Sequence, residues 1–202
     1  MEYAKLGNTD IEVSKLCIGC MSFGKAGTMH DWTLDAQESE KVIKHALDLG
    51  INFFDTANCY SAGTSEEYLG QALKKNVARD KVVIASKVYF NEGRLSKAAI
   101  EREIDGSLKR LGTDYLDLYI IHRFDFDTPI EETMGALADI VRQGKALYVG
   151  ISNYDADQTR KALAVLKEHK VPCLIHQARY SMFDRWTEPD LLPVLKEEGV
   201  GM

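Results

Sequence analysis

Lys81-Val-Val-Ile-Ala-Ser-Lys87 and Leu116-Asp-Leu-Tyr-Ile-Ile-His122, with what lies between them, decide the fold of this chain. Both are short apolar runs with little polar alternation, the pattern of parallel strands covered on both faces. Between them, Ser96 opens and Gly112 closes a helical stretch that runs to about Leu111. A serine side chain accepts from an unpaired N–H of the first helical turn, and glycine takes the left-handed conformation that ends a helix. Strand, helix and strand together make one βα repeat.

The repeat extends in both directions. Upstream, Leu16 to Met21 predicts the first strand. Asp35 to Leu49 predicts a helix, with Val42, Ile43, Ala46 and Leu47 at helical spacing. Asn52-Phe-Phe-Asp55 predicts the second strand and Ser65 to Lys75 its helix. Downstream, helices are expected over Ile130 to Gln143 (stopped by Gly144), Asp155 to His169 and Glu188 to Glu198. Strands are expected over Ala146 to Ser152 and Cys173 to Gln177. Ahead of the series, Tyr3-Ala-Lys-Leu6 and Ile11-Glu-Val-Ser14 flank the turn cluster Gly7-Asn-Thr-Asp10, a hairpin pattern.

Repeated βα units make an α/β barrel or a doubly wound sheet. The expected fold is an α/β (β/α)8 TIM barrel in a single domain over residues 1–202, with the hairpin closing its bottom. Only six units are complete, and a seventh strand begins at Val200. Eight units typically take ~250 residues. The expectation is therefore an incomplete barrel that lacks its C-terminal part.

Four residues stand where such a barrel places its chemistry, at or just after the C-terminal ends of successive strands. They are Asp55, Tyr60, Lys87 and His122. A phenol alone ionises near pH ~10, so it is a weak acid at neutral pH. A neighbouring ammonium stabilises the phenolate, and a carboxylate keeps that ammonium charged in a partly dry pocket. An imidazole can orient a carbonyl oxygen. Tyr60 is thus expected as general acid, Lys87 as its tuner, Asp55 as the partner of Lys87, and His122 as substrate director. The set suits protonation of a carbonyl oxygen as hydride reaches carbon, and the hydride must come from a cofactor.

These residues sit in segments that resemble the aldo-keto reductase family. The stretch Gly50-Ile-Asn-Phe-Phe-Asp-Thr-Ala-Asn-Cys-Tyr-Ser-Ala-Gly-Thr-Ser-Glu-Glu-Tyr-Leu-Gly70 is similar to the family signature around its Asp and Tyr. Lys87 and His122 fall at the other two tetrad positions. Gly150-Ile-Ser-Asn153 and His176-Gln177 resemble the segments that hold the nicotinamide carboxamide. The Tyr-Ser-x-Gly-x-Ser-Glu-Glu variant is closer to the bacterial and potassium-channel-beta-like branch. The resemblance implies NADP(H) as cofactor and a small aldehyde or ketone as substrate. Gly19, Met21, Asp55, Ser152, Asn153 and Gln177 are its implied cofactor contacts. It also places the aromatic that stacks on nicotinamide, and the basic group that grips the 2′-phosphate, beyond Met202. The alternative function is a nicotinamide-binding accessory or sensor protein with little turnover.

Composition sets the outer bounds. The chain has 202 residues, net charge −6, and no basic cluster, which argues against nucleic acid as a partner. No apolar run approaches the ~20 residues of a membrane span. The N-terminus shows no signal-peptide pattern, so the cytoplasm is expected. Cys17-Ile-Gly-Cys20 lies on a strand and is expected to serve packing, not redox chemistry or zinc. Gly19 to Ala26 nearly spells a phosphate loop, but Ala26 replaces the hydroxyl that would bind Mg²⁺ and no helix opens there. No G-x-G-x-x-G follows a strand. Trp32, Tyr89 and Phe124 are expected as pocket walls. Asp125 and Asp127 are expected in a solvated loop, and His30, His45 and His169 on the surface. His176 is expected to be structural.

Overall fold

The structure, a computed structural model, describes residues 1–202. Strands β1 (Tyr3–Lys5) and β2 (Glu12–Ser14) form the antiparallel hairpin. The main sheet holds β3 (Cys17–Gly19), β4 (Phe53–Asp55), β5 (Val83–Val88), β6 (Leu116–Ile121), β7 (Ala146–Ser152) and β8 (Cys173–Gln177). They lie side by side in chain order, and every pair is parallel. Helices α1 (Ala36–Asp48), α2 (Thr64–Asn76), α3 (Lys97–Leu111), α4 (Ile130–Arg142) and α5 (Ala156–Glu168) are the crossovers, and α6 (Leu191–Glu198) follows β8. This is the curled sheet of an incomplete (β/α)8 barrel. Gly201 bridges Ile175 in parallel, where the sequence starts a seventh strand of the series.

The apolar residues divide by face. Phe54, Ile84, Val88, Tyr119, Ile121, Val149 and Ile151 pack with the helices in one large cluster. Ala85, Leu118, Ile120 and Leu174 form a small second cluster with Leu6, Phe53, Tyr148 and Ile175. Side chains alternate along a strand, so the second set is the barrel interior, with Leu174 and Ile175 both in it where the β7–β8 register breaks. Helices thus cover one face, and the strands themselves with Leu6 of the hairpin fill the other. Both faces are buried, which is why the strands read as continuous apolar runs.

Most element ends obey local rules. Asp35, Ser96 and Asp155 each accept from a backbone N–H of the first turn of α1, α3 and α5. Gly112 ends α3 at φ 65°. The last helix is shorter than expected: it starts at Leu191 instead of Glu188. Pro189 disfavours helical backbone at the residue before it, so the helix starts only after that turn. The Leu16–Met21 strand is also curtailed, because Cys20 to Ser22 turn into a 3-10 helix. Cys20 is buried there, whereas Cys17 is exposed on the edge strand, a correction to the packing role expected of it. Near Gly24 the loop bridges Phe23 to Leu34 and opens no helix.

Helices α2 and α3 meet at Gly70, where an added Cβ would lie 2.3 Å from the carbonyl oxygen of Leu111. Alanine in a helix ordinarily gains up to ~1 kcal/mol over glycine. Here backbone must move, at about 1–3 kcal/mol. Gly70→Ala should therefore lower the urea midpoint, and a raised midpoint would contradict this packing. No helix is long and apolar enough to cross a membrane.

Candidate active site

Parallel strands in this register bring their C-terminal ends to one mouth. Gly19 pairs with Asp55, Lys87 with Ile120, Ile120 with Gly150, and Ser152 with Gln177. Inward alternation then sends Asp55, Lys87, Ser152 and Gln177 toward the same space, with His122 one residue past β6.

Lys87 is the centre of the site. Its side chain is 2% exposed, and Nζ donates to Asp55 Oδ1 at 2.8 Å, Asp55 Oδ2 at 2.7 Å and the carbonyl of Thr56 at 2.7 Å. An ammonium has three donors, so all are matched. Burial works against its charge, but the charges of Asp55 and Tyr60 and the Asp55 hydrogen bond outweigh burial and raise its pKa.

Tyr60 approaches that ammonium from the side, with Nζ 5.0 Å from the ring centroid. The phenol is 9% exposed. Burial raises its pKa; Lys87 pulls it down, and Asp55 adds to the rise. The lowering expected from the lysine is present, but burial exceeds it. The phenol therefore holds its proton in this site, as a general acid must before it acts.

His122 stands edge-on to Tyr60, ring centroids 5.7 Å apart, and edge-on to Phe90 at 5.0 Å. Burial, then the charges of Lys87 and Arg123, lowers its pKa from 6.5 to about 4. The ring is neutral at neutral pH, and its buried Nδ1 has no partner. The unfolded chain takes up this proton more readily, so stability falls as pH drops from 6.5 toward 4. The contribution is roughly 3 kcal/mol. His122→Gln should shrink the loss of urea midpoint between pH 7 and pH 4, and an unchanged loss would refute the depressed pKa.

Among the cofactor positions, Ser152 is buried and its Oγ accepts from Asn153 Nδ2 at 3.0 Å. The same Nδ2 donates to the His122 carbonyl at 3.0 Å, and Asn153 holds φ 57°. Gln177 has a buried Oε1 with no partner. A cofactor amide carries the N–H donors that this orphaned acceptor lacks, so the residues present fit a nicotinamide carboxamide. Gly19 lines up with Asp55, and a Cβ there would meet nothing within 4 Å; Met21 is exposed just beyond.

The surroundings differ from expectation in places. Tyr89 and Phe124 line a rim cavity of about 490 Å³ with Arg123, Phe126, Asn153 and Trp186, but Trp32 instead stacks on His30. Asp125 is not solvated: it is 4% exposed and accepts from Thr128 Oγ1, Asp127 N and Arg94, closing its loop. Asp127 is exposed. His176 is buried against the Tyr154 carbonyl at 3.0 Å, a structural position as expected. Sequence reasoning missed Thr56, whose role lies in its carbonyl, and Phe90, whose contact with His122 crosses elements. Neither leaves a pattern in the residue string. No cluster of three His, Cys, Asp or Glu side chains is arranged to hold a metal ion.

A phenol, an ammonium–carboxylate pair and an imidazole thus converge at the C-terminal mouth of a parallel barrel. Comparison with known proteins gives the family. The Aldo/keto reductase family model matches residues 15–202, and the chain belongs to that family. It is 38% identical over 215 residues to the L-glyceraldehyde 3-phosphate reductase of Escherichia coli K12, covering 100% of this chain and 60% of that protein. It is 39% identical over 229 residues to the versiconal hemiacetal acetate reductase of Aspergillus parasiticus, covering 100% of this chain and 66% of that protein. The thermostable aldo-keto reductase Tm1743, solved with the inhibitor epalrestat, superposes with TM-score 0.85 at 34% identity. That match covers 99% of this chain and 70% of the other. The chain thus spans about 60% of the length of the first of these relatives.

Proposed function

We propose that the protein reduces a small aldehyde or ketone to its alcohol in the cytoplasm, with NADP(H) as cofactor. The observation that carries this reading is the buried Asp55–Lys87 pair beneath Tyr60, with His122 edge-on to the same phenol. When bound, the nicotinamide supplies the hydride. Tyr60 gives its phenolic proton to the carbonyl oxygen as that oxygen gains charge. The phenolate left behind lies beside Lys87, whose charge Asp55 secures. His122, neutral and with its Nδ1 unpartnered, offers one N–H to hold the carbonyl oxygen at the phenol. Gln177 Oε1 and Ser152 would take the carboxamide, and Asn153 braces Ser152 by tying it to the His122 carbonyl. Gly19 leaves room beside Asp55, and the exposed Met21 would flank a cofactor held there. NADP(H) over NAD(H) follows from the family resemblance.

The alternative of a slow sensor has no feature here that favours it, and the relatives carry the names of reductases. Stopped-flow oxidation of bound NADPH by a reactive aldehyde tests the reading. Reduction in single turnover at rates of a working enzyme, about 1–10³ per second, is expected. Binding of NADPH with no hydride transfer to any aldehyde or ketone would overturn it.

A further inference from the structure

The turn that delivers Tyr60 is left-handed over three consecutive residues: Ser61 at φ 47°, Ala62 at φ 53° and Gly63 at φ 90°. For a residue with a Cβ this conformation costs roughly 1–2 kcal/mol. Such backbone persists only where its surroundings over-determine it. Two contacts do so. On one side, bare Gly24 lies against Ser61, since a Cβ on Gly24 would sit 2.3 Å from Ser61 Cβ. On the other, the stem of Arg110 covers Gly63, since a Cβ on Gly63 would sit 2.8 Å from Arg110 Cδ.

Arg110 is itself held. Its Nε donates to Glu66 Oε2 at 2.6 Å, and Ser86 Oγ donates to Glu66 Oε1 at 2.5 Å. Glu66 is fully buried, whereas Arg110 keeps 24% of its side chain exposed. Ser86 immediately precedes Lys87 on β5. A closed path therefore runs from the ammonium's strand through Ser86, Glu66 and Arg110 to Gly63, and back along the turn to the phenol. A buried ion pair is weak evidence for stability, because apolar residues of similar size often serve as well. This one ties α3 to the first turn of α2, directly after the left-handed turn, and the Ser86 hydrogen bond to Glu66 ties that same turn of α2 to β5, the strand of Lys87.

We propose that Glu66 and Arg110 are positioning residues that hold the left-handed turn closed and so keep the Tyr60 hydroxyl buried beside Lys87. The inference rests on the reading of Tyr60 as the acid. Neither residue touches the carbonyl. They act by fixing where the phenol stands relative to β5.

The test uses ¹³Cζ-tyrosine NMR of the protein, with the Tyr60 signal assigned by Tyr60→Phe. The charged and titratable groups around that phenol are Lys87, Asp55, Cys59 and His122. In wild type the signal should titrate above the ordinary value of a phenol. The double variant Glu66→Gln/Arg110→Met removes both charges together and leaves no lone buried carboxylate. Its Tyr60 signal should titrate closer to ~10, the value of a solvated phenol. Single-turnover reduction should slow 10–100-fold while NADPH affinity stays within about threefold. Ser86→Ala cuts only the link to β5 and should shift the signal in the same direction by less, whether or not the double variant folds. A wild-type Tyr60 titration in Ser86→Ala, or in a folded double variant, would overturn the proposal. Should Tyr60→Phe retain full reduction, the acid role fails, and the NMR arm still decides whether the path holds the turn.

Discussion

Tyr60→Phe should lower carbonyl reduction by about 10²–10⁴-fold, the range that a positioned proton donor contributes. Only one oxygen is removed, and the ring that packs against Lys87 and His122 stays. NADPH binding, measured by quenching of protein fluorescence, should change little, because the groups proposed for the carboxamide lie on β7, β8 and the loop after β7. If binding and reduction vanish together, Tyr60 belongs to the cofactor cradle and the acid role is wrong. The loss should appear in the rate of hydride transfer at saturating aldehyde, since the proton is needed only as the carbonyl oxygen gains charge.

Lys87→Met should cost both stability and rate. Its removal leaves the Asp55 carboxylate, 13% exposed, without the ammonium that matched it. Breaking a buried pair from one side typically costs about 3–5 kcal/mol. The opening of Asp55 toward the mouth places the expected loss at the lower end, read from urea unfolding. Reduction should fall as well, because the phenolate formed at Tyr60 loses the charge that favoured it. A second change, Asp55→Leu on the Lys87→Met background, should recover stability but no activity. Recovery of both would show that the pair serves folding alone. No change in stability from Lys87→Met would show that water already screens the pair.

Much of this architecture was legible because the rules involved are local. The limits of α3 follow from Ser96 and Gly112, each of which acts on its own turn. β7 and β8 begin and end where the apolar runs do. The convergence of Asp55, Tyr60, Lys87 and His122 was legible because parallel strands in register place their ends together, a consequence of topology alone. What escaped depends on contacts between distant segments. Whether Tyr60 ionises more or less readily than a free phenol depends on how deeply it is buried, and the residue string does not state burial. Asp125 looks like any loop carboxylate until Arg94 and Thr128 are seen to enclose it. Ser61 and Ala62 carry no mark of left-handed backbone, and what holds them there lies in Gly24 and Arg110, on other elements. The start of α6 is a local matter as well: Pro189 disfavours helical backbone at Glu188, and the helix begins only at Leu191.

On the proposed reduction of an aldehyde, the hydrogen bonds of Lys87 have a further consequence. A free lysine amine condenses with an aldehyde to a Schiff base. Here all three N–H donors point at fixed acceptors, and the raised pKa keeps the nitrogen protonated, without the lone pair that such an attack requires. Cys59, the residue before Tyr60, is likewise kept as an unreactive thiol, since burial pushes its pKa up to about 11. Both nucleophiles beside the Tyr60 phenol are thus held in their protonated, unreactive forms. A reductase of the proposed kind is thereby shielded from adducts with its own aldehyde substrate.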